Sequence, residues 1–430
     1  MSEADVSSVP FREAVRFWVT LGFVNVGGPG GQIALMHHQL VHRRRWIDEE
    51  RFLHALSFCT LLPGPEAQQL AIYVGWLLHG TAGGILAGVW FVLPSAFMIW
   101  GLAWLYAAQG DVAWVSGLFA GLAAGVLGLV AAAVLRVGAR ALKGRVAGAI
   151  AIAAFAAIAI AGVPFPAVVA ASAIAGIAAK LGRPPEDAAS GLRPTVARTL
   201  RVLATGLAVW WLPLVAVIAW RGVGDTLSKE ALFFSGAAVV TFGGAYAVLA
   251  YVNQAAVVRF GWLGPADVAA GLGLAESTPG PLIMVLEFVG FLAAYRFPGD
   301  LSPALAGALG AAVTVWATFA PCFLWIFLGA PSVERLRGNR RVTGALAGVT
   351  AAVVGVIASL AFTFGVQVLF EEVSSRHPLW ADVPVPALAS IDALAAALAV
   401  IAFVAIRRKE RYAAVVALAC GLAGLIRAVT

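Results

Sequence analysis

Long apolar runs separated by short charged stretches dominate this chain. A helix needs about 20 apolar residues to cross roughly 30 Å of hydrocarbon. Runs near that length cover 82–108, 112–135, 146–162, 164–179, 202–220, 303–329, 342–365, 388–406 and 412–426, several of them short or closely joined. The segment 181–200 holds Pro184, Pro185, Glu186, Asp187 and several arginines and is the one long polar linker. It divides a first repeat at 1–180 from a second at 201–430, with the linker in the cytoplasm.

Two further regions are apolar but broken. In the first, 11–25 runs into Gly27-Gly28-Pro29-Gly30-Gly31 and continues over 32–41; 51–62 then meets Pro63-Gly64-Pro65 and continues over 66–78. In the second, 232–242 meets Gly243-Gly244 and continues over 245–258; 267–278 meets Pro279-Gly280-Pro281 and continues over 282–295. Each arm is too short to cross alone, and paired arms around a Gly or Pro break predict re-entrant hairpins or broken helices.

The two regions read as one unit written twice. Gly28 and Gly244, Arg43 and Arg259, Trp46 and Trp262, and the two Pro-Gly-Pro triplets all differ by 216 positions. One deletion later Val74-Gly75 aligns with Val289-Gly290, and Pro94 then aligns with Pro321. Basic residues cluster at 136–145, 180–201, 335–341 and 407–411. Placing these clusters in the cytoplasm puts five spans between the broken regions. An odd number inverts the second against the first. The expected fold is an all-α polytopic membrane protein built on an inverted-topology repeat, each unit carrying two broken hairpins plus full transmembrane helices.

Composition agrees. The 430 residues are 61% hydrophobic and 12% charged, against roughly 25% charged in soluble domains, and mean hydropathy is +0.91. The net charge of +7 sits in short loops, which marks topology and gives no nucleic-acid surface. Cys59, Cys322 and Cys420 lie far apart in apolar segments and form no disulfide or metal framework. The N-terminal stretch has no h-region of a signal peptide. These features predict a multi-pass protein of a bacterial-type inner membrane with its N-terminus in the cytoplasm. The lipid bilayer is its surroundings, no cofactor is called for, and a homodimer is one assembly open to it.

A helix that starts after Pro-Gly-Pro exposes backbone N–H groups without intrahelical acceptors, at the positive end of its dipole. Pro65 and Pro281 suit the first helical position. Two such ends near one midplane suit an oxyanion. The substrate-binding candidates are Asn25, Gly27, Gly28, Gly30, Pro63, Gly64, Pro65, Glu66, Gln68, Gln69, Gly243, Gly244, Ser277, Thr278, Pro279, Gly280 and Pro281. Ionisable groups at membrane depth are costly and mark function, so Glu66, Glu276 and Glu287 are candidate proton carriers. Arg43, Arg44 and Arg45 are candidates for a cytoplasmic mouth. Gln32, Thr241, Asn253 and Gln254 can bind substrate or brace the broken backbone. His37, His38 and His42 beside the basic loop read as interfacial, and no metal is expected. No GxxxxGK[ST] string is present, so ATP coupling is unsupported.

At these residues the chain resembles the chromate ion transporter family in its long two-domain form. The resemblance rests on Gly27-Gly28-Pro29 with Gln32-Ile33-Ala34-Leu35-Met36, and on Arg44-Arg45-Trp46. It continues through Leu61-Leu62-Pro63-Gly64-Pro65-Glu66-Ala67-Gln68-Gln69-Leu70 and Phe91-Val92-Leu93-Pro94. In the second half it rests on Thr241-Phe242-Gly243-Gly244-Ala245-Tyr246, Gly271-Leu272-Gly273-Leu274-Ala275-Glu276 and Thr278-Pro279-Gly280-Pro281-Leu282-Ile283-Met284. The resemblance implies chromate export from the cytoplasm driven by the proton motive force or anion exchange, with sulfate as the isosteric competitor. Glu287 departs from the family pattern, where glutamine is usual. The alternatives are a sulfate or other oxyanion transporter, a membrane-embedded enzyme, or an anion channel.

Overall fold

The computed structural model describes residues 9–25, 28–60, 62–109, 112–182, 195–242, 245–329, 340–376, 383–408 and 412–429. Gly27, Gly243, Gly244, Asp111 and most of the 181–200 linker fall outside the described residues.

The first half runs α1 (Phe11–Val24), α2 (Gly28–His37), a π-helical turn (His38–Arg43), α3 (Glu49–Cys59), α4 (Glu66–Gln109), α5 (Ala113–Ala141), α6 (Arg145–Ala159) and α7 (Phe165–Ala178). Helix α8 (Val196–Arg221) follows. The second half runs α9 (Thr226–Val240), α10 (Ala245–Asn253), a π turn (Gln254–Arg259), α11 (Pro265–Ser277), a 3-10 turn (Leu282–Met284), α12 (Val285–Arg296), α13 (Pro303–Gly329), α14 (Arg340–Leu369), α15 (Ala393–Arg408) and α16 (Ala413–Val429). The two π turns stand 216 positions apart, on the register of the Pro-Gly-Pro triplets. Helix α4 is broken at His79 (φ −141°, ψ 29°) and Gly80 (φ 60°, ψ −152°). Its arms 66–78 and 81–109 therefore match α12 and α13.

Among the described residues five helices, α4, α5, α8, α13 and α14, are long and apolar enough to cross a membrane. The runs expected at 146–162, 164–179, 388–406 and 412–426 are corrected here. They form α6, α7, α15 and α16, of 15, 14, 16 and 17 residues. At 1.5 Å per residue these reach about 21–26 Å, short of roughly 30 Å of hydrocarbon. A small departure from an all-helical chain follows α14. Strands β1 (Val373–Arg376) and β2 (Val383–Pro386) pair antiparallel, with β-branched valines on both strands.

The chain divides into two compact units, and each draws on both sequence repeats. The first comprises Met1–Leu102, Gly191–Val239 and Thr278–Val333; the second comprises Ala103–Ser190, Val240–Ser277 and Glu334–Thr430.

In the second unit α5 packs on α14, and the short hairpins are exchanged. Helices α6 and α7 of the first half pack on α14, while α15 and α16 of the second half pack on α5. Small residues permit the close approach. Gly176 meets Gly344 and Gly348, Gly355 meets the Ala151 carbonyl, and Gly121 meets the Cys420 carbonyl.

In the first unit α12 packs on α13, and α13 on α8. Where α12 crosses α13, Gly290 lies against the Gly310 carbonyl and Thr314. The same crossing recurs between the arms of α4, where Gly75 lies against the Gly83 carbonyl and Ala87. Gly290 and Gly75 follow the alignment of Val289 with Val74. Gly310 and Thr314 fall on Gly83 and Ala87 in the register that pairs Pro321 with Pro94.

Candidate functional site

Both Pro-Gly-Pro triplets belong to the first unit. Their middle glycines have φ of +110° at Gly64 and +122° at Gly280, values that side-chain-bearing residues rarely adopt. Pro65 lies immediately before α4, and its carbonyl accepts from the Gln69 N–H at 3.0 Å. Pro281 (φ −64°, ψ 135°) caps the 3-10 turn, and its carbonyl accepts from Met284 N–H at 2.9 Å. The expectation that both prolines occupy the first helical position is therefore corrected: each is the N-cap. Extended ψ at a proline lets its carbonyl close the first turn while its ring stays outside the helix. The N–H groups of Glu66, Ala67 and Gln68, and of Leu282 and Ile283, consequently have no acceptor within their own helices.

Each triplet packs against the opposite half of the chain. A Cβ on Gly64 would stand 3.0 Å from Cys322 Sγ, while a Cβ on Gly280 would overlap Ser95. Ser95 and Cys322 follow the matched prolines Pro94 and Pro321, so the contacts are reciprocal. The first broken hairpin is tied to the second triplet. Gly280 N–H donates to the Asn25 carbonyl at 2.7 Å, and Gln32 Nε2 donates to the Gly280 carbonyl. Gln69 Nε2 donates to the Pro63 carbonyl at 2.6 Å.

These contacts leave polar atoms over. Asn25, Gln32, Gln68, Gln69 and Ser95 are all buried. Among the described residues, both amide atoms of Asn25 and of Gln68, Oε1 of Gln32 and of Gln69, and Ser95 Oγ have no hydrogen-bond partner. Leaving a buried polar group unsatisfied costs about 1–3 kcal/mol. These groups are candidates to meet a polar occupant. The amide N–H of Asn25 and Gln68, the Ser95 hydroxyl and the backbone N–H groups of the two first turns are donors suited to an anion.

The remaining candidates lie as follows. Gly28 (φ +66°) and Gly30 open α2 in the first unit. Glu66 is partly exposed at the start of α4, and Glu287 is buried on α12 with Oε2 unpaired. Thr278 is buried in the first unit beside Pro279. Glu276 and Ser277 end α11 in the second unit, where the Ser277 hydroxyl donates to the Leu274 carbonyl at 3.1 Å. Arg44 is engaged structurally: it pairs with Glu13 at 3.2 Å and stacks over Phe17 and Trp46, 5.1 Å from each centroid. It lines an open cleft of about 640 Å³ with Arg12 and Arg16. Arg43 and Arg45 are exposed. His37, His42 and Glu49 bring ligand-type atoms within 4.8 Å of one another, with no residue of the three buried.

Sequence reasoning passed over Ser95 and Glu230. Glu230 on α9 is fully buried, and neither carboxylate oxygen has a partner among the described residues.

The chromate transporter family profile matches residues 12–177 and 229–425, one stretch in each half. A chromate transport protein of Pseudomonas aeruginosa is 32% identical over 381 residues, covering 87% of this chain and 86% of its own. One from Cupriavidus metallidurans is 29% identical over 353 residues, covering 80% of each chain. A probable chromate transport protein of Synechococcus elongatus is 27% identical over 367 residues, covering 84% and 86%. No solved structure matches this chain. With matched stretches spanning most of both halves, the chain belongs to the chromate transporter family in its long form and is a transporter, not an enzyme.

Proposed function

We propose that this protein is a secondary active transporter that exports chromate from the cytoplasm across a bacterial-type inner membrane. The observation that carries the reading is the set of buried amide and hydroxyl groups, unsatisfied among the described residues, on the segments that flank or touch Gly64 and Gly280. A tetrahedral dianion offers four acceptor oxygens, and the donors at Asn25, Gln68, Ser95 and the two first turns match that demand. The relatives named chromate transport proteins give the anion; sulfate has the same shape and charge and is the competitor to test.

The exchanged contacts, Gly64 with Cys322 and Gly280 with Ser95, support an inverted repeat. Two units related by a two-fold axis make paired contacts of this reciprocal kind. The parity of spans supports inversion as well. The second arm of α4 with α5 and α8 makes three crossings if α6 and α7 form a returning hairpin, and five if each crosses. Both numbers are odd. The arginine clusters then put the N-terminus in the cytoplasm, with Arg43 and Arg45 at the cytoplasmic opening and Arg44 bracing it. The short arms ending at the breaks act as re-entrant hairpins, which keep irregular backbone inside protein. Proton motive force or anion exchange supplies the energy, with Glu66, Glu276 and Glu287 as carboxyls able to carry protons.

The test is uptake of chromate into inside-out vesicles, with and without an acidic lumen, and with sulfate as competitor. Uptake against a chromate gradient that grows with lumenal acidity is the expected result. Flux that only runs downhill would make the protein a channel, and uptake of sulfate with exclusion of chromate would replace the substrate.

A further inference from the structure

The duplicated helix crossing in the first unit exists in two versions, and they differ in chemistry. In the first half it joins the two arms of α4 at Gly75 and Gly83. The positions around it are apolar and buried: Ala14 on α1, and Ile72 and Ala87 on α4. In the second half it joins α12 and α13 at Gly290 and Gly310. The corresponding positions are Glu230 on α9, Glu287 on α12 and Thr314 on α13, again buried. The first version carries no carboxyl at these three positions; its polar neighbour is His79, whose Cβ lies against Gly83 where the second version has Ala294 against Gly310. The crossing therefore packs without the two carboxyls and the hydroxyl that the second version places there.

Their geometry is specific. Glu230 points at the crossing: a Cβ built on Gly310 would stand 3.0 Å from its Oε2. Thr314 lies one turn further along α13, against Gly290, and its hydroxyl has no partner. Both oxygens of Glu230 and Oε2 of Glu287 are likewise without a partner among the described residues. An ionised carboxylate buried without a counter-charge is too costly to persist, so Glu230 must be neutralised by something it binds. A proton satisfies one carboxyl by itself, whereas a metal cation needs several converging oxygens.

A charged route leads to it. Asp225 caps α9, accepting from Leu227 N–H at 2.9 Å, and lies little more than one turn before Glu230. Arg221 at the end of α8 binds Asp225 at 3.0 Å and Asp300 at 2.5 Å. In the topology proposed above this triad stands on the outer face, where an inward proton gradient begins. The other titratable or charged groups on the elements packed here are Lys229 on α9, Glu287, Tyr295 and Arg296 on α12, Cys322 on α13, and Arg198 and Arg201 on α8, which packs on α13. Helix α12 leads away from the second Pro-Gly-Pro break. A change of charge at its crossing with α13 thus acts on the helix next to Gly280.

We infer that Glu230 is a proton-carrying carboxyl of the transport cycle, reached from the Arg221–Asp225–Asp300 triad and coupled to the anion site through α12. Its carboxylate takes up one proton from the outer side and releases it toward the cytoplasm as the anion moves out. For transport the inference rests on the chromate-export reading; for protonation it does not.

Two measurements separate these. Infrared titration of the purified protein should show the carbonyl stretch of a protonated carboxyl that is lost in Glu230→Gln; an unchanged band overturns the inference whatever the substrate is. In proteoliposomes, Glu230→Gln should lose chromate accumulation driven by a pH gradient while keeping chromate counterflow, which needs no net proton movement. Retention of pH-driven accumulation overturns it. Should Glu230→Gln fail to fold, Glu230→Asp keeps a carboxyl. It should restore pH-driven accumulation with a displaced pH profile, and a folded Glu230→Asp protein with counterflow but no pH response overturns the inference. Absence of chromate flux in the unaltered protein would count against the export reading alone.

Discussion

Alanine at position 280 should damage this protein far more than alanine at position 64, although the two glycines occupy matched places. Both have left-handed φ, +122° and +110°, and holding alanine there costs about 1–3 kcal/mol. The surroundings differ. A Cβ on Gly64 meets Cys322 Sγ and Gln69 Nε2 at 3.0 Å each, and the amide end of Gln69 can yield by a few tenths of an ångström. A Cβ on Gly280 overlaps both Cβ and Oγ of Ser95, and forced overpacking adds about 1–3 kcal/mol. Gly280 cannot retreat, because its N–H and carbonyl are held by Asn25 and Gln32. Gly64→Ala should therefore lose about 1–3 kcal/mol and Gly280→Ala about 2–6 kcal/mol. Adding Ser95→Gly to Gly280→Ala should recover the overpacking share, about 1–3 kcal/mol. Denaturant unfolding in detergent, followed by tryptophan fluorescence, reads all four proteins. Equal losses for the two alanine variants, or no recovery in the double variant, would refute the exchanged packing of the triplets.

Three further outcomes follow from the site and its supports. Asn25→Leu and Gln68→Met remove amides that have no partner among the described residues, so stability should be unchanged or raised, by up to about 1–3 kcal/mol, while chromate transport is lost; a loss of stability would show these amides to be structural. Arg44→Ala should cost about 1–2 kcal/mol by removing stacking on Phe17 and Trp46, whereas Arg43→Ala should be near neutral, both read by thermal unfolding. Burial works against the Asp392 carboxylate, but the Ala395 and Leu394 N–H groups and the Arg427 guanidinium outweigh it and hold Asp392 below the usual carboxylate range. A group depressed in the folded state stabilises above its unfolded value of about 3.9. The stability gap to Asp392→Asn should therefore be full at neutral pH and close as the pH falls through the folded value; a gap that widens in acid would refute this.

Much of the helical layout could be read from spacing. The 216-residue register located both Pro-Gly-Pro breaks, and it also fits the two π turns, which no residue pattern announced. The polar neighbours Asn25, Gln68 and Gln69 stood out because amides in apolar runs are costly. Ser95 did not, since a lone serine after a proline in a long apolar helix is ordinary; only its contact with Gly280 gives it meaning. Glu230 was missed for a related reason. Beside Lys229 and close to Asp225, it reads as part of a solvated helix start. Its burial comes from elements far away in sequence, α12 and α13, which periodicity does not reveal. The short helices α6, α7, α15 and α16 were overread because hydropathy reports apolar content more sharply than it reports where a helix stops.

The exchanged packing also dictates an order of events during synthesis. Cys322, which covers Gly64, is made more than half a chain later, and α14 must emerge before the α6–α7 pair can pack on it. The first half therefore waits in the membrane with its small-residue helix faces and its break uncovered. It can finish folding only around the second half. A ribosome stalled between the halves should leave an insertion product open to proteases, and completion of the second half should close both halves in one cooperative step.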